Sequence, residues 1–454
     1  MLTNKKLHLV ALVSAALILF LIFVSSAASA ATEQSASSVR TYAYISNSES
    51  NNVSVIDTTT DTVIATVPVG KDPLGVAVSP DGRRVYVANY LDNTVSVIDT
   101  ATNTVKATLN VGRSPNGVAV NPQGTKVYVT NTWSGNISVI DTATNTVTAA
   151  VMVGSMPSGV AVNPQGTRVY VANCNSNTVS IIDTATNTVI ATVPVENWPS
   201  GVAVNPTGTK IYVTNSGYED LPENTISVID AATNTVTASV EVGNYPYGVA
   251  VNPDGTKVYV VNKMDSTVSV IDAVTNTVTS TVNVGYYNLP YGVAVNPEGT
   301  KVYVANWGRN AVSVIDTATN KITATVKVGR DPMTFGQFIG YVPVPELIFP
   351  VANFSSNVTS GSAPLTVQFT DLSENATGWG WDFGDGDTST DENPVHTFSE
   401  AGEYTVELTV SNENGTDSKL ATISVSEQPE SLLPVANFSS NVTSGSAPLT
   451  VQFT

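Results

Sequence analysis

Over residues 41–341, apolar and polar positions alternate in short runs that recur in a fixed order. One unit reads G-V-A-V-N-P-x-G-T-K-V-Y-V-T-N, then N-T-V-S-V-I-D-T-A-T-N, then T-V-T-A-T-V-x-V-G. It holds four runs, termed A to D, which in one copy fall at residues 117–120, 126–130, 137–140 and 146–153. Period-two alternation rich in Val, Thr and Ile predicts strands. Turn residues separate them. Asn121-Pro122-Gln123-Gly124 suits a proline-led turn, and Asp141 and Asn145 flank the next, where short polar side chains bond the local backbone.

A Tyr-x-x-Asn element marks each unit, beginning at Tyr44, Tyr86, Tyr128, Tyr170, Tyr212, Tyr259 and Tyr303, with spacings of 42, 42, 42, 42, 47 and 44 residues. Four strands of about 5–6 residues with connections of about 4–6 fill such a period. Four-stranded sheets repeating at about 40–45 residues predict a β-propeller. Seven elements predict seven blades in an all-β fold. The first copy starts at strand B, and an A-like segment at residues 335–339 follows the last strand D. That segment is predicted to complete the N-terminal blade, which closes the ring and leaves it no unpaired end. These residues resemble the YVTN family of β-propeller repeats, through the Tyr-Val-Thr-Asn of residues 128–131 and 212–215, and the resemblance covers residues 41–341.

The period then stops. Residues 342–349 read as a Pro-rich linker, and residues 350–426 carry short alternating strands around Trp-Asp-Phe-Gly-Asp-Gly (381–386) and His-Thr-Phe (396–398). These motifs resemble a PKD domain, which implies an immunoglobulin-like β-sandwich. Alternation with turn signals suggests a sandwich independently. After a linker at 427–433, residues 434–454 repeat residues 350–370 without a change. They are expected to be the start of a second, incomplete PKD domain, too short to bury a sandwich core.

At the N-terminus, Lys5 and Lys6, an apolar run over residues 9–24 and Ala28-Ser29-Ala30 predict a secretory signal peptide over residues 1–30. The alternative is an uncleaved anchor, since the run approaches the ~20 residues that span a bilayer. The single cysteine, Cys174, lies far from this site, which excludes a lipid-anchored lipoprotein, and one cysteine excludes internal disulfides. The net charge of −18 argues against nucleic acid as a partner and leaves cations plausible.

The repeats can be compared with one another. The A–B and C–D turns, on one face of the disc, are nearly constant. The B–C turns and D–A crossovers, on the other, vary, with the longest insertion at 216–223. Trp133, Trp198 and Trp307 fall on the variable face, with Tyr90, Tyr218, Tyr245, Tyr247, Tyr286, Tyr287 and Tyr291. Rings on loops of a rigid scaffold suit a recognition surface for protein or sugar. The competing reading is that they stack to plug the central channel. Strand B begins and strand A ends on the constant face, so tether and stalk should both leave from there.

Catalytic chemistry is sparse. The only histidine beyond the leader is His396, so a Ser-His-Asp triad or a His-rich metal site is not available to the propeller. The strand-C aspartates Asp57, Asp99, Asp141, Asp183, Asp230, Asp272 and Asp316 each precede a turn and read as turn caps. Asp382, Asp385 and Asp387 offer hard oxygen ligands for Ca²⁺, although their spacing departs from the EF-hand loop. Sequons at Asn52, Asn136, Asn357, Asn375 and Asn414, and also at Asn353, Asn437 and Asn441, are glycosylation candidates on an exported chain. Cys174 reads as an incidental loop thiol on the variable face.

No cofactor is expected. The leading expectation is a non-enzymatic cell-surface protein with the propeller as interaction head on a PKD stalk. Its partners would be surface proteins or glycans, or further copies of the chain. The combination of YVTN repeats with PKD modules resembles archaeal surface-layer proteins. The alternative is a secreted ligand-binding or hydrolytic propeller using the central channel.

Overall fold

A computed structural model describes residues 39–218, 221–344, 348–429 and 435–454. The predicted signal peptide lies outside them. The chain divides into two compact units, one reaching to Pro345 and the other starting at Glu346.

Seven four-stranded antiparallel sheets make up the first unit. In blade 3 the strands are Pro115–Val120, Lys126–Asn131, Asn136–Asp141 and Thr146–Met152, paired in sequence order. Apolar side chains of neighbouring sheets meet between blades. Tyr128, Ile137, Val139 and Val151 of blade 3 pack against Val160, Val169, Val171 and Ile182 of blade 4. Each motif tyrosine is fully buried in such a layer.

Closure of the ring differs from expectation in register. Blade 1 combines Ile339–Pro343 with Val39–Asn47, Asn52–Asp57 and Thr62–Pro68. The closing strand thus takes only Ile339 from the A-like segment 335–339, and Val342 and Pro343 belong to it rather than to the linker. The reason is an insertion. In blade 2, Pro73 opposes Asn89 and Ala77 opposes Tyr86. In blade 1, Pro332 opposes Asn47, but the Tyr44 N–H reaches the carbonyl of Phe338, two residues further along than the repeat predicts. The surplus bulges onto the inner edge of blade 2, where Val76 and Val78 donate to the carbonyls of Phe335 and Gln337.

The asparagine of Tyr-x-x-Asn is fully buried in every blade. Asn173 Nδ2 donates to Thr178 Oγ1 (3.1 Å) and Ser180 Oγ (2.9 Å) on strand C, while its Oδ1 accepts from the Gly154 N–H (3.1 Å) in the crossover from the previous blade. The threonine of the complete Tyr-Val-Thr-Asn copies also acts between blades. Thr214 Oγ1 accepts from Gly201 N and donates to the Tyr247 carbonyl, both at 2.7 Å. The inner strands approach so closely that a Cβ on Gly248 would lie 2.8 Å from the Tyr291 carbonyl oxygen.

On the constant face, a cation at the start of strand B reaches the next blade's C–D turn. Lys126 donates to the Thr184 carbonyl (3.1 Å), Arg168 to Ala231 (2.6 Å), Lys210 to Ala273 (2.6 Å), Lys257 to Thr317 (2.8 Å) and Arg84 to Thr142. Lys301 carries the series across the ring closure, contacting the Thr58 carbonyl and Asp61 Oδ2, both at 2.8 Å.

The second unit is a sandwich. Phe354–Ser356, Leu365–Asp371 and Val395–Phe398 form one sheet. Ser360–Ser362, Gly415–Ser426, Gly402–Asn412, Gly378–Asp382 and Thr388–Ser389 form the other. Trp381, Phe369, Phe383, Phe398 and Leu408 fill the space between. In the repeated segment, Ser440 opposes Phe453, which reproduces the pairing of Ser356 with Phe369. Phe438 and Phe453 stay exposed, because a segment with one isolated bridge pair cannot cover them.

Two expectations follow. Asn173→Ala removes three buried hydrogen bonds and should lower unfolding stability by about 2–4 kcal/mol, read as a shifted denaturant midpoint. The second concerns acid. Asp141, Asp183, Asp230 and Asp272 accept from the backbone and hydroxyl of the threonine three residues on, which holds their carboxyls below the usual value. A depressed folded pKa gives stabilisation that is present above the unfolded value of about 3.9 and is lost as pH falls through the folded value. Replacing all four by Asn should make the fall in melting temperature between about pH 5 and about pH 2 shallower than in the wild type.

Candidate recognition site

Three positions per blade surround the variable-face mouth of the channel: the residue before the strand-A proline, the residue after it, and the residue following the motif asparagine. The first adopts a left-handed backbone in all seven blades, at Asp72, Ser114, Met156, Trp198, Tyr245, Leu289 and Asp331, with φ from 47° to 58°. Such a conformation disfavours bulky side chains and residues preceding proline, so the surroundings must impose it. They do so through hydrogen bonds at both ends. The Trp198 N–H donates to Asn177 Oδ1 (3.0 Å), and its carbonyl accepts from the Ser216 N–H (3.1 Å).

The position after the proline faces the axis. It is Leu74, Asn116, Ser158, Ser200, Tyr247 and Tyr291 in blades 2 to 7, and Met333 in blade 1. Tyr291 and Leu74 pack with Phe335, the first residue of the closing bulge, and Tyr247 and Met333 border them. Tyr291 and Tyr247 lie 4.0 Å apart between ring centroids and share a 2.5 Å hydrogen bond between their hydroxyls. Burial raises both phenols well above their usual pKa. Below this plug lies a cavity of about 210 Å³, lined by the inner strands of blades 3 to 7 and by Phe335, Gly336 and Gln337.

The rings singled out in the sequence therefore divide. Tyr247 and Tyr291 close the channel, whereas Trp133, Tyr286 and Tyr287 stand in solvent at 60%, 80% and 60% exposure. Trp133 Nε1 donates to Tyr90 Oη (3.0 Å), and Tyr286 packs edge-on against Tyr287. Tyr245 and Trp307 border the mouth with Tyr291. All three surround the ammonium of Lys263, at 5.6, 4.8 and 5.5 Å from their centroids. Trp198 is half-buried. The Tyr218 side chain lies outside the described residues. Sequence reading missed Lys263, Phe335 and the exposed Leu91 and Met264. Leu91 and Met264 were legible, since both lie in variable B–C turns.

On the other flank, Asn116, Ser158 and Ser200 are buried polar residues. Asp72 and Asp331 belong to adjacent blades. Burial pushes the Asp72 carboxyl up, with repulsion from Asp331 adding and a hydrogen bond from Ser48 opposing.

The proposed calcium set is regrouped. Asp385, Asp387 and His396 converge, with His396 Nε2 at 2.7 Å from Asp385 Oδ2, while Asp382 turns away to accept from the Gly384 N–H (2.9 Å). His396 stacks on Phe383 at 4.1 Å, so the trio is built into the sandwich. Asn357 and Asn375 are exposed. Asn52 and Asn136 accept from the buried Asn47 and Asn131, and Asn414 Nδ2 donates to the Ile348 carbonyl.

Cys174 is not a loop thiol. It is 6% exposed and donates to the Pro199 carbonyl, as Thr132 does to Pro157 and Ser216 to Pro246. Burial pushes its thiol up to about 12. A thiol-reactive dye should leave the folded protein unmodified at pH 8 and label one group per chain in denaturant.

Three family models match parts of the chain: a YNCE-like beta-propeller over residues 22–123, a 7-bladed lactonase beta-propeller over 182–296 and a PKD domain over 349–426. Among solved structures, a functionally unknown protein from Desulfotomaculum acetoxidans is 18% identical, with a TM-score of 0.56 over 67% of this chain and 99% of that one. Kuenenia stuttgartiensis hydrazine synthase is 21% identical, with a TM-score of 0.53 over 61% and 97%. At these identities the likeness concerns fold. Curated relatives match in short stretches. Collagenase ColA of Bacillus cereus is 51% identical over 51 residues, which is 11% of this chain and 5% of the collagenase. The pre-pro-metalloprotease PrtV of Vibrio cholerae is 38% identical over 81 residues, 18% of this chain and 9% of the protease. The chain thus spans less than a tenth of either relative. Repeats, sheet order and family models converge: the chain is a β-propeller followed by a PKD domain.

Proposed function

We propose that this is a non-enzymatic protein of the cell surface, with the variable propeller face as its recognition surface and the PKD module as part of a stalk. The observation that carries it is that large apolar side chains stand exposed in the turns of that face: Leu91, Trp133, Met264, Tyr286 and Tyr287. Exposed aromatics on rigid loops are the usual anchors of an interface. The closing strand ends with Pro343 opposite Val39, so the chain enters and leaves the propeller on the constant face, away from those rings. The PKD counterparts in a collagenase and a pre-pro-metalloprotease support export.

A second reading draws on Asp72, whose carboxyl is pushed up by burial, with a smaller contribution from Asp331, as suits a general acid. It predicts turnover of model esters or glycosides that disappears in Asp72→Asn.

Immunogold labelling of cells and binding of the purified protein to isolated envelopes test the first reading. Labelling should lie on the envelope, and the Trp133→Ala/Tyr287→Ala double variant should bind envelopes about tenfold more weakly at unchanged melting temperature. Protein found only in the medium, with no affinity for envelopes, would overturn it.

A further inference from the structure

We propose that Asn375 carries an N-linked glycan that covers an exposed apolar patch of the PKD module; this rests on the chain being exported. Eight sequons are present, and the fold treats them differently. At Asn52 and Asn136 the hydroxyl two residues on, of Ser54 or Ser138, is 3% exposed, and Oδ1 is held by Asn47 or Asn131. Asn353 Oδ1 accepts from the Lys419 ammonium (2.6 Å) and Asn357 Oδ1 from the Gln368 N–H (2.9 Å), so both amides are fixed against the sandwich. Asn414 is engaged through the nitrogen itself, which donates to the Ile348 carbonyl at 3.0 Å. Asn437 and Asn441 repeat the positions of Asn353 and Asn357 in the incomplete module.

Asn375 differs from the other sequons of the propeller and the complete PKD module. Its side chain is exposed and makes no hydrogen bond among the described residues; only its carbonyl is used, accepting from Asn412 Nδ2 at 2.9 Å. It stands in the loop between Leu365–Asp371 and Gly378–Asp382 with a left-handed backbone, φ 59°. Thr377, which completes the sequon, is exposed as well. A glycan is joined to the amide nitrogen, so this is the place where amide and hydroxyl are both within reach of a transferase.

The second observation is what surrounds it. Ile348, Phe349, Val351 and Leu372 are 51%, 53%, 51% and 51% exposed. The backbone gathers them about Asn375. Val351 and Glu374 exchange hydrogen bonds of 2.9 and 3.0 Å, and the Asn412 amide bridges the carbonyls of Ile348 and Asn375. Phe349 lies over Gly415, where a Cβ would fall 3.0 Å from its ring. Large apolar side chains grouped on the surface of an exported protein invite association. An oligosaccharide turns C–H faces to such groups and hydroxyls to water, and one attached among them covers them permanently. The transfer uses a glycosyl phosphate ester supplied by the exporting cell. Asn375 Nδ2 bonds to the anomeric carbon as the C–O bond to phosphate breaks. The phosphate leaves with the electron pair, and the amide gives up one proton.

The test uses the full chain purified from the cells that export it. Peptide mapping by mass spectrometry should find added sugar on the peptide that holds Asn375. Asn375→Gln and Thr377→Ala should each remove it, and Thr377→Ser, which keeps the sequon, should retain it. Without the glycan, Asn375→Gln should bind more of a hydrophobic dye at unchanged melting temperature, and Phe349→Ser in that background should reverse the gain. The proposal fails if the exported protein carries no sugar at Asn375, if Thr377→Ala leaves the sugar in place, or if Asn375→Gln binds no more dye than the wild type. Unmodified Asn375 on envelope-bound protein overturns the glycan and leaves the cell-surface reading standing. Protein that stays unmodified inside the cell removes both.

Discussion

The propeller depends on a fully buried amide. Asparagine at the end of each strand B ties its own strand to the neighbouring strand C through its amide N–H groups, and in blades 2 and 4 its oxygen also accepts from a glycine in the crossover arriving from the blade before. Apolar layers between sheets are tolerant of sliding, because valine against valine looks similar one step along. Amide N–H groups bonded to strand-C oxygens permit one register, since any slip leaves them unpaired in a dry interior. The amide therefore fixes the register of strands B and C within each blade, in blades 2 and 4 also against the predecessor, and the valine layers supply the bulk of the driving force.

This explains why so much of the fold could be read directly. Tyr-x-x-Asn is visible because both ends of the motif are under structural compulsion in every copy. The tyrosine fills the layer between blades and the asparagine locks the register. The strand-C aspartates were equally readable, since a carboxylate two or three residues ahead of a turn amide has a local partner. The PKD core followed from its aromatic motif.

Features built from residues distant in sequence were not legible. Lys126 and Lys210 look like ordinary strand-end cations until the next blade places a carbonyl 58 or 63 residues away within reach. The closing bulge was hidden because the segment 335–339 has the composition of a strand, and only its count against Asn47 shows two residues too many. The division of the mouth escaped too. Choosing between plug and surface for each aromatic requires knowing which loop position faces the axis. Asp382 illustrates the same limit within one loop, where of three acids in six residues two converge and one turns elsewhere.

The seven left-handed positions ahead of the strand-A prolines have a wider consequence. Their backbone is held by amide and carbonyl contacts that do not involve the side chain. Aspartate, serine, methionine, tryptophan, tyrosine and leucine are all accommodated there within one molecule. Display is thereby uncoupled from folding: the ring works as a chassis with seven interchangeable slots, and new specificity can arise by exchanging their contents blade by blade while the register locks beneath are left untouched.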